Sequence, residues 1–142
     1  MKAGFVLAAI FLGLHIHAQT NDSTTIVKLL QSDYGTMGNW DLKKHVSNCT
    51  ADYLLIEEGE IWDLQKEQQY YIANSHRRIN RKNVFTFYRV KTSGQMAYAV
   101  YFLKSELTEN GILTVKTWNE SATFRKINGV WKIALIHSTP AK

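Results

Sequence analysis

The stretch Thr123-Phe124-Arg125-Lys126-Ile127-Asn128-Gly129-Val130-Trp131-Lys132-Ile133, with His137-Ser138 beyond it, decides how this chain folds. Asn128-Gly129 is a dipeptide that tolerates positive φ, and β-branched and aromatic residues flank it on both sides. The reading is a two-residue hairpin that buries Phe124, Trp131, Ile133 and Leu135. Upstream, Asn110-Gly111 is a second such turn and Ser93-Gly94 a third. Together they bound strands over 83–92, 95–107, 112–126 and 130–139, the last ended by Pro140.

Shorter elements precede this sheet. Residues 23–34 predict a helix capped by Asp22 or Ser23, with Ile26, Leu29, Leu30 and Asp33 at helical spacing. Gly35 and Gly38 are expected to break it. Asn39 or Asp41 caps a short second helix with Leu42 and Val46 on one face. A strand follows over 52–56, and Glu57-Glu58-Gly59 turns out of it. Asp63 caps a third helix to about Arg78, with Leu64, Tyr71, Ile72 and Ser75 on one side. The order is α-α-β-α-β-β-β-β, and no linker divides it.

Counting through the three hairpins places Thr86 opposite Tyr101, Tyr101 opposite Glu120, and Glu120 opposite His137. Alternation then puts Trp118, Ala122 and Phe124 on the inner face. Phe85, Phe87, Val100 and Phe102 fall on the other face. That is more apolar than the outer sheet of a monomer needs, so a homodimer through the sheet is expected.

The chain has 142 residues, 45% apolar and 20% charged, with one Pro, as in a single globular domain. Its one cysteine, Cys49, excludes an intrachain disulfide, a thiolate zinc site and CxxC chemistry. Cys49 reads as a small buried filler with no histidine beside it. His45, His76 and His137 lack metal-ligand spacing, so no metal is expected, and no cofactor motif is present. The formal charge of +5 is mild. Its densest run, Arg77-Arg78-Ile79-Asn80-Arg81-Lys82, reads as a helix C-terminus and a solvated loop, with no nucleic-acid partner.

Lys2 followed by the apolar run Ala3 to Leu14 and then Ala18-Gln19 has the anatomy of a signal peptide. The expectation is processing after residue 18, a mature domain over 19–142, and a secreted or periplasmic protein with no membrane contact after processing. The alternative is an uncleaved N-terminal anchor.

The element order, the step at Asn39-Trp40-Asp41-Leu42, the segment Asp52-Tyr53-Leu54-Leu55-Ile56-Glu57-Glu58-Gly59, and the last hairpin with Trp131, Ile133 and His137 resemble the nuclear transport factor 2-like superfamily. The nearest likeness is to its SnoaL-like and small bacterial domain-of-unknown-function members. The resemblance implies an α+β cone, a curved mixed sheet wrapped around three N-terminal helices, with a pocket at the wide end. It also implies members that isomerise, cyclise or hydrolyse, and others that only bind or dimerise.

Two functions follow as expectations. One is a binding module for a small, partly apolar molecule, with Trp40, Trp62, Tyr88, Tyr101 and Trp118 as apolar walls, and Tyr34 also read as a wall residue. Glu120 and His137 would fix the ligand's orientation. The other is a cofactor-independent enzyme of SnoaL or ketosteroid-isomerase type, with His137 as base, Glu120 as its orienter and Tyr101 as oxyanion donor.

Overall fold

The computed structural model describes the backbone of residues 12–142 and the side chains from residue 21 onward. Most of the apolar run that motivates the signal-peptide reading lies outside the described residues. Among the described residues, no helix is long and apolar enough to cross a membrane.

Three helices precede most of the sheet, as expected: α1 (Leu12–Asn39), α2 (Leu42–Asn48) and α3 (Leu64–Asn74). The strands are β1 (Cys49–Glu57), β2 (Glu60–Asp63), β3 (Ile79–Ser93), β4 (Met96–Glu109), β5 (Ile112–Ile127) and β6 (Val130–Pro140). They form one six-stranded sheet in the order β2-β1-β6-β5-β4-β3. β1 runs parallel to β6, and the other neighbours are antiparallel. The fold is therefore the expected α+β cone, with one short strand more than the sequence reading. β2 exists because Glu58 and Gly59 both take positive φ and close a tight hairpin after β1.

Helix α1 is longer than expected. It runs through Gly35 and Gly38, because burial of Ile26, Leu30, Asp33, Tyr34 and Thr36 outweighs the roughly 1 kcal/mol each glycine costs. Trp40 ends it instead, in the left-handed region at φ 57, while the Asp41 N–H bonds back to the Thr36 carbonyl at 3.0 Å. Asp22 lies inside α1 and does not cap it. Its carboxylate accepts from Trp131 Nε1 and Lys126 Nζ, each at 2.9 Å, and pins the helix to the last hairpin. The other caps are as expected, Asp41 accepting from Lys44 N and Asp63 from Lys66 N.

Helix α3 stops at Asn74, short of Arg78, and its buried positions are Glu67 and Tyr71, with Ile72 exposed. The basic run is thus no solvated loop. Residues 79–82 open β3, and Arg81 turns toward the inside of the cone.

The register departs from simple counting at three places. The β3–β4 turn centres on Gly94-Gln95, since Ser93 pairs with Met96. Tyr88 is an extra residue between the paired Phe87 and Arg89, so Phe87, not Thr86, faces Tyr101. Ala134 is an extra residue on β6, so Glu120 faces Ser138 and His137 faces Ser121. Such bulges bend a strand and sharpen its twist, which a sheet closing into a cone requires. Their consequence is that Phe85 and Phe87 lie inside, stacked on each other and against Tyr101, and not on the outer face.

The core holds Phe124, Trp131 and Ile133, as expected, but Ile136 takes the buried place assigned to Leu135, which is half-buried. Ile136 is 3% exposed, so Ile136→Ala is expected to cost about 2–5 kcal/mol in urea unfolding. Leu135→Ala should cost markedly less, and the reverse ranking would put the β6 bulge elsewhere.

Candidate functional site

A cavity of about 740 Å³ opens between the helices and the concave side of the sheet. That size suits a small organic ligand. Three elements make its aromatic wall. Trp40 follows α1, Trp62 stands on β2, and Tyr70 and Tyr71 stand on α3; Trp40 meets Tyr70 and Tyr71 edge-on at 6.0 and 5.8 Å, and Trp62 meets Tyr70 at 5.6 Å. Trp40 Nε1 donates to the Arg77 carbonyl at 3.1 Å, which fixes the indole. A tryptophan in the left-handed region is strained where a glycine would not be, and such strain concentrates at sites of use.

The polar floor is built from Glu120 on β5, Tyr34 on α1 and Ser138 on β6. Glu120 is 5% exposed; Tyr34 OH donates to its Oε2 at 2.5 Å and Ser138 Oγ to its Oε1 at 2.8 Å. Burial raises the Glu120 carboxyl above the usual range, and the bonds from Tyr34 and Ser138 oppose that shift without cancelling it. The Tyr101 hydroxyl lies 3.4 Å from that of Tyr34, but Tyr101 does not reach the cavity surface.

The structure thus brings together Tyr34, Trp40, Trp62, Trp118 and Glu120 at one cavity. It separates three others from it, Tyr101 among them. Tyr88 is 64% exposed at the β3 bulge, and His137 is exposed on the outer face because the extra residue on β6 turns it there. The expected Glu120–His137 pair is therefore not formed.

Sequence reading missed a second polar cluster behind the wall. His45 on α2 is wholly buried, with Nδ1 3.1 Å from Asp33 Oδ1 and Nε2 3.3 Å from Glu67 Oε2. Its ring stacks on Tyr71 at 4.9 Å. Burial alone works against charge on the imidazole, but its contacts with Asp33, Cys49 and Glu67 outweigh it and raise its pKa. The His45 ring is thus held between two carboxyl groups, a setting that favours its protonated form. Cys49, four residues on, does have a histidine beside it, with Sγ 3.9 Å from His45 Nε2. Asp33, His45 and Cys49 bring potential ligand atoms within 4.8 Å of one another. The ion pair and the Asn48 amide bond to Asp33 account for that grouping. Burial also pushes the Cys49 thiol up to about 11.

Two arginines complete the surface. Arg77 binds Glu109 with Nε and Nη2 at 2.8 and 2.6 Å. Arg81 has only neutral partners among its hydrogen bonds: Asn83 Oδ1, Ser105 Oγ and Met37 Sδ.

No family model matches the sequence, and no curated protein does. Solved structures do match. The CaMKII hub homology domain of Chlamydamonas reinhardtii superposes with a TM-score of 0.75 at 16% identity, covering 85% of this chain and 98% of that one. A ketosteroid isomerase-like protein from Erwinia carotovora atroseptica gives 0.68 at 16%, over 85% and 97%. An NTF2-like protein from Cytophaga hutchinsonii gives 0.70 at 14%, over 82% and 95%. At such identities the likeness is one of fold, and the fold is the nuclear transport factor 2-like cone.

Proposed function

We propose that this chain is an exported binding domain that holds a small, partly apolar molecule in the cone and needs no cofactor. The observation that carries this reading is the cavity, with aromatic walls at Trp40, Trp62 and Trp118 and a buried, hydrogen-bonded carboxylate, Glu120, at its floor. The reading includes removal of residues 1–18. It also includes pairing of two copies through the outer sheet face, where Val84, Tyr98, Val100 and Val115 are exposed. A hub domain among the neighbours of this fold is in keeping with assembly.

A second reading is favoured by one observation. A carboxyl raised by burial and facing a cavity is what a general base requires, and Glu120 has that setting with a tyrosine hydroxyl beside it. In that case Glu120, not His137, would take the proton.

One native mass spectrum of the protein from its producing cell tests the reading. The expected species is a dimer of chains beginning at Gln19 that retains a small organic molecule. A ligand-free monomer beginning at Met1 would overturn it. If a retained molecule is found, turnover of that molecule, lost in Glu120→Gln, would move the protein to the second reading.

A further inference from the structure

The cavity's charge is lopsided. Asp33 and Glu67 are two buried carboxyl groups that share one imidazole, His45. Glu67 is 2% exposed and lines the cavity, and its Oε2 has no hydrogen-bond partner among the described residues, with His45 Nε2 at an ion-pair distance of 3.3 Å. Glu57, at the end of β1, is half-buried at the same cavity with no ion-pair partner among the described residues. Directly across the β1–β2 ladder it faces Glu60, whose carboxylate is already held by Lys66 Nζ at 2.7 Å. Burial, and then the charges of Glu120, Glu58 and Glu67, raise the pKa of Glu57, and Lys116 lowers it by less. The cavity's cations do not balance this. Of its three cations, Arg77 is taken by Glu109, Arg81 lies in the field of Glu120, and Lys116 offsets the burial of Glu57 only in small part.

Beside these carboxylates stands the aromatic wall of Trp40, Trp62 and Tyr70, whose ring faces attract cations. The chain already shows that recognition at the cavity's edge, where Lys66 Nζ sits 4.7 Å over the ring of Trp62 while bonding Glu60. We propose that the ligand is an organic ammonium ion, its charge set against Glu57 and Glu67 and its apolar body against Trp40, Trp62 and Tyr70. This rests on the binding-domain reading and adds the ligand's chemical class.

The test uses three probes with one body and three charges: phenethylammonium, 2-phenylethanol and phenylacetate. Each is titrated into the full chain and followed by the indole N–H signals of the tryptophans. The cation is expected to bind about tenfold tighter than the alcohol, with the anion weakest. Glu57→Gln should lower affinity for the cation by about tenfold and leave the alcohol within about twofold. If Glu57→Gln loses its native circular dichroism, Glu58→Gln at the same mouth should show a smaller loss of the same sign. Phenylacetate binding as tightly as phenethylammonium, or cation affinity indifferent to both variants, would overturn the proposal. Tight binding of the alcohol or the anion at these indoles would leave the binding-domain reading standing. No probe binding and no retained molecule in the native spectrum would end both.

Discussion

His45→Ala is expected to destabilise the protein by about 3–5 kcal/mol, read as a lowered urea midpoint with unchanged slope. The cause is not the loss of attraction alone. His45 is 0% exposed, and its removal leaves Asp33 and Glu67, both buried, with no counter-charge between them. The same cluster sets a pH dependence in the unaltered protein. The imidazole pKa is raised in the fold above its ordinary 6.5, so from about that pH upward the folded state holds a proton that the unfolded chain has lost. Stability then falls as pH rises, by up to about 1.4 kcal/mol per unit. The informative window is from 6.5 to 9, because the Cys49 thiol, itself raised from 9.0, adds a loss of the same sign beyond it. A flat profile there would mean a neutral His45 and a different role for the cluster.

That cluster also marks where sequence reading stops. Asp33 was visible as an oddity, a carboxylate on the apolar stripe of α1 at helical spacing from Ile26 and Leu30. A charge in such a place must be paired. Its partners lie on α2 and α3, and nothing local in the sequence says that those helices meet there. Cys49 four residues after His45 was the one local clue. The hairpins were legible for the opposite reason. Asn110 and Asn128 take φ of 52 and 50, each followed by a glycine with positive φ, so the turn chemistry is written in two adjacent residues. The bulges at Tyr88 and Ala134 are not. An extra residue is selected by the curvature of a whole sheet, and neither residue type announces it. One such residue moved His137 out of the cone and Ile136 into it. The strands could therefore be placed to within a few residues, while His137 and Tyr101, two of the three expected catalytic residues, could not be placed relative to the cavity.

The cavity's aromatic wall was legible in part, and for a reason that bears on function. Trp40 and Trp62 stood out as large aromatics at element boundaries, Trp40 beside the α1 end and Trp62 just before the cap at Asp63. A packed core has no need of tryptophans at such positions, whereas a cavity mouth does. Arg81 and Glu67 were hidden inside charged runs that look solvated when read as strings.

Glu120→Gln is expected to leave the fold intact, with stability at pH 7 within about 1 kcal/mol of the unaltered protein, while the retained molecule is lost from the native spectrum. Two effects nearly cancel in the stability. Burial raises the Glu120 carboxyl, so its ionised form is disfavoured in the fold, and an amide removes that cost. Against this, the charge-assisted bonds from Tyr34 and Ser138 weaken to neutral ones. The amide can keep both contacts: Tyr34 still donates to its oxygen, and the Ser138 hydroxyl turns to accept from its nitrogen. The pH profile checks the account independently. A carboxyl raised above its ordinary 4.5 makes stability fall as pH rises from that value toward its folded pKa, and this acid-side slope should be absent in the variant. Binding has no such compensation. A buried carboxylate that orients a ligand is worth roughly 2–5 kcal/mol when truncated, or about 30-fold and upward in affinity. A variant that keeps its molecule would reduce Glu120 to a structural link between α1 and β6. A variant that unfolds would place the carboxylate among the groups that hold the cone together.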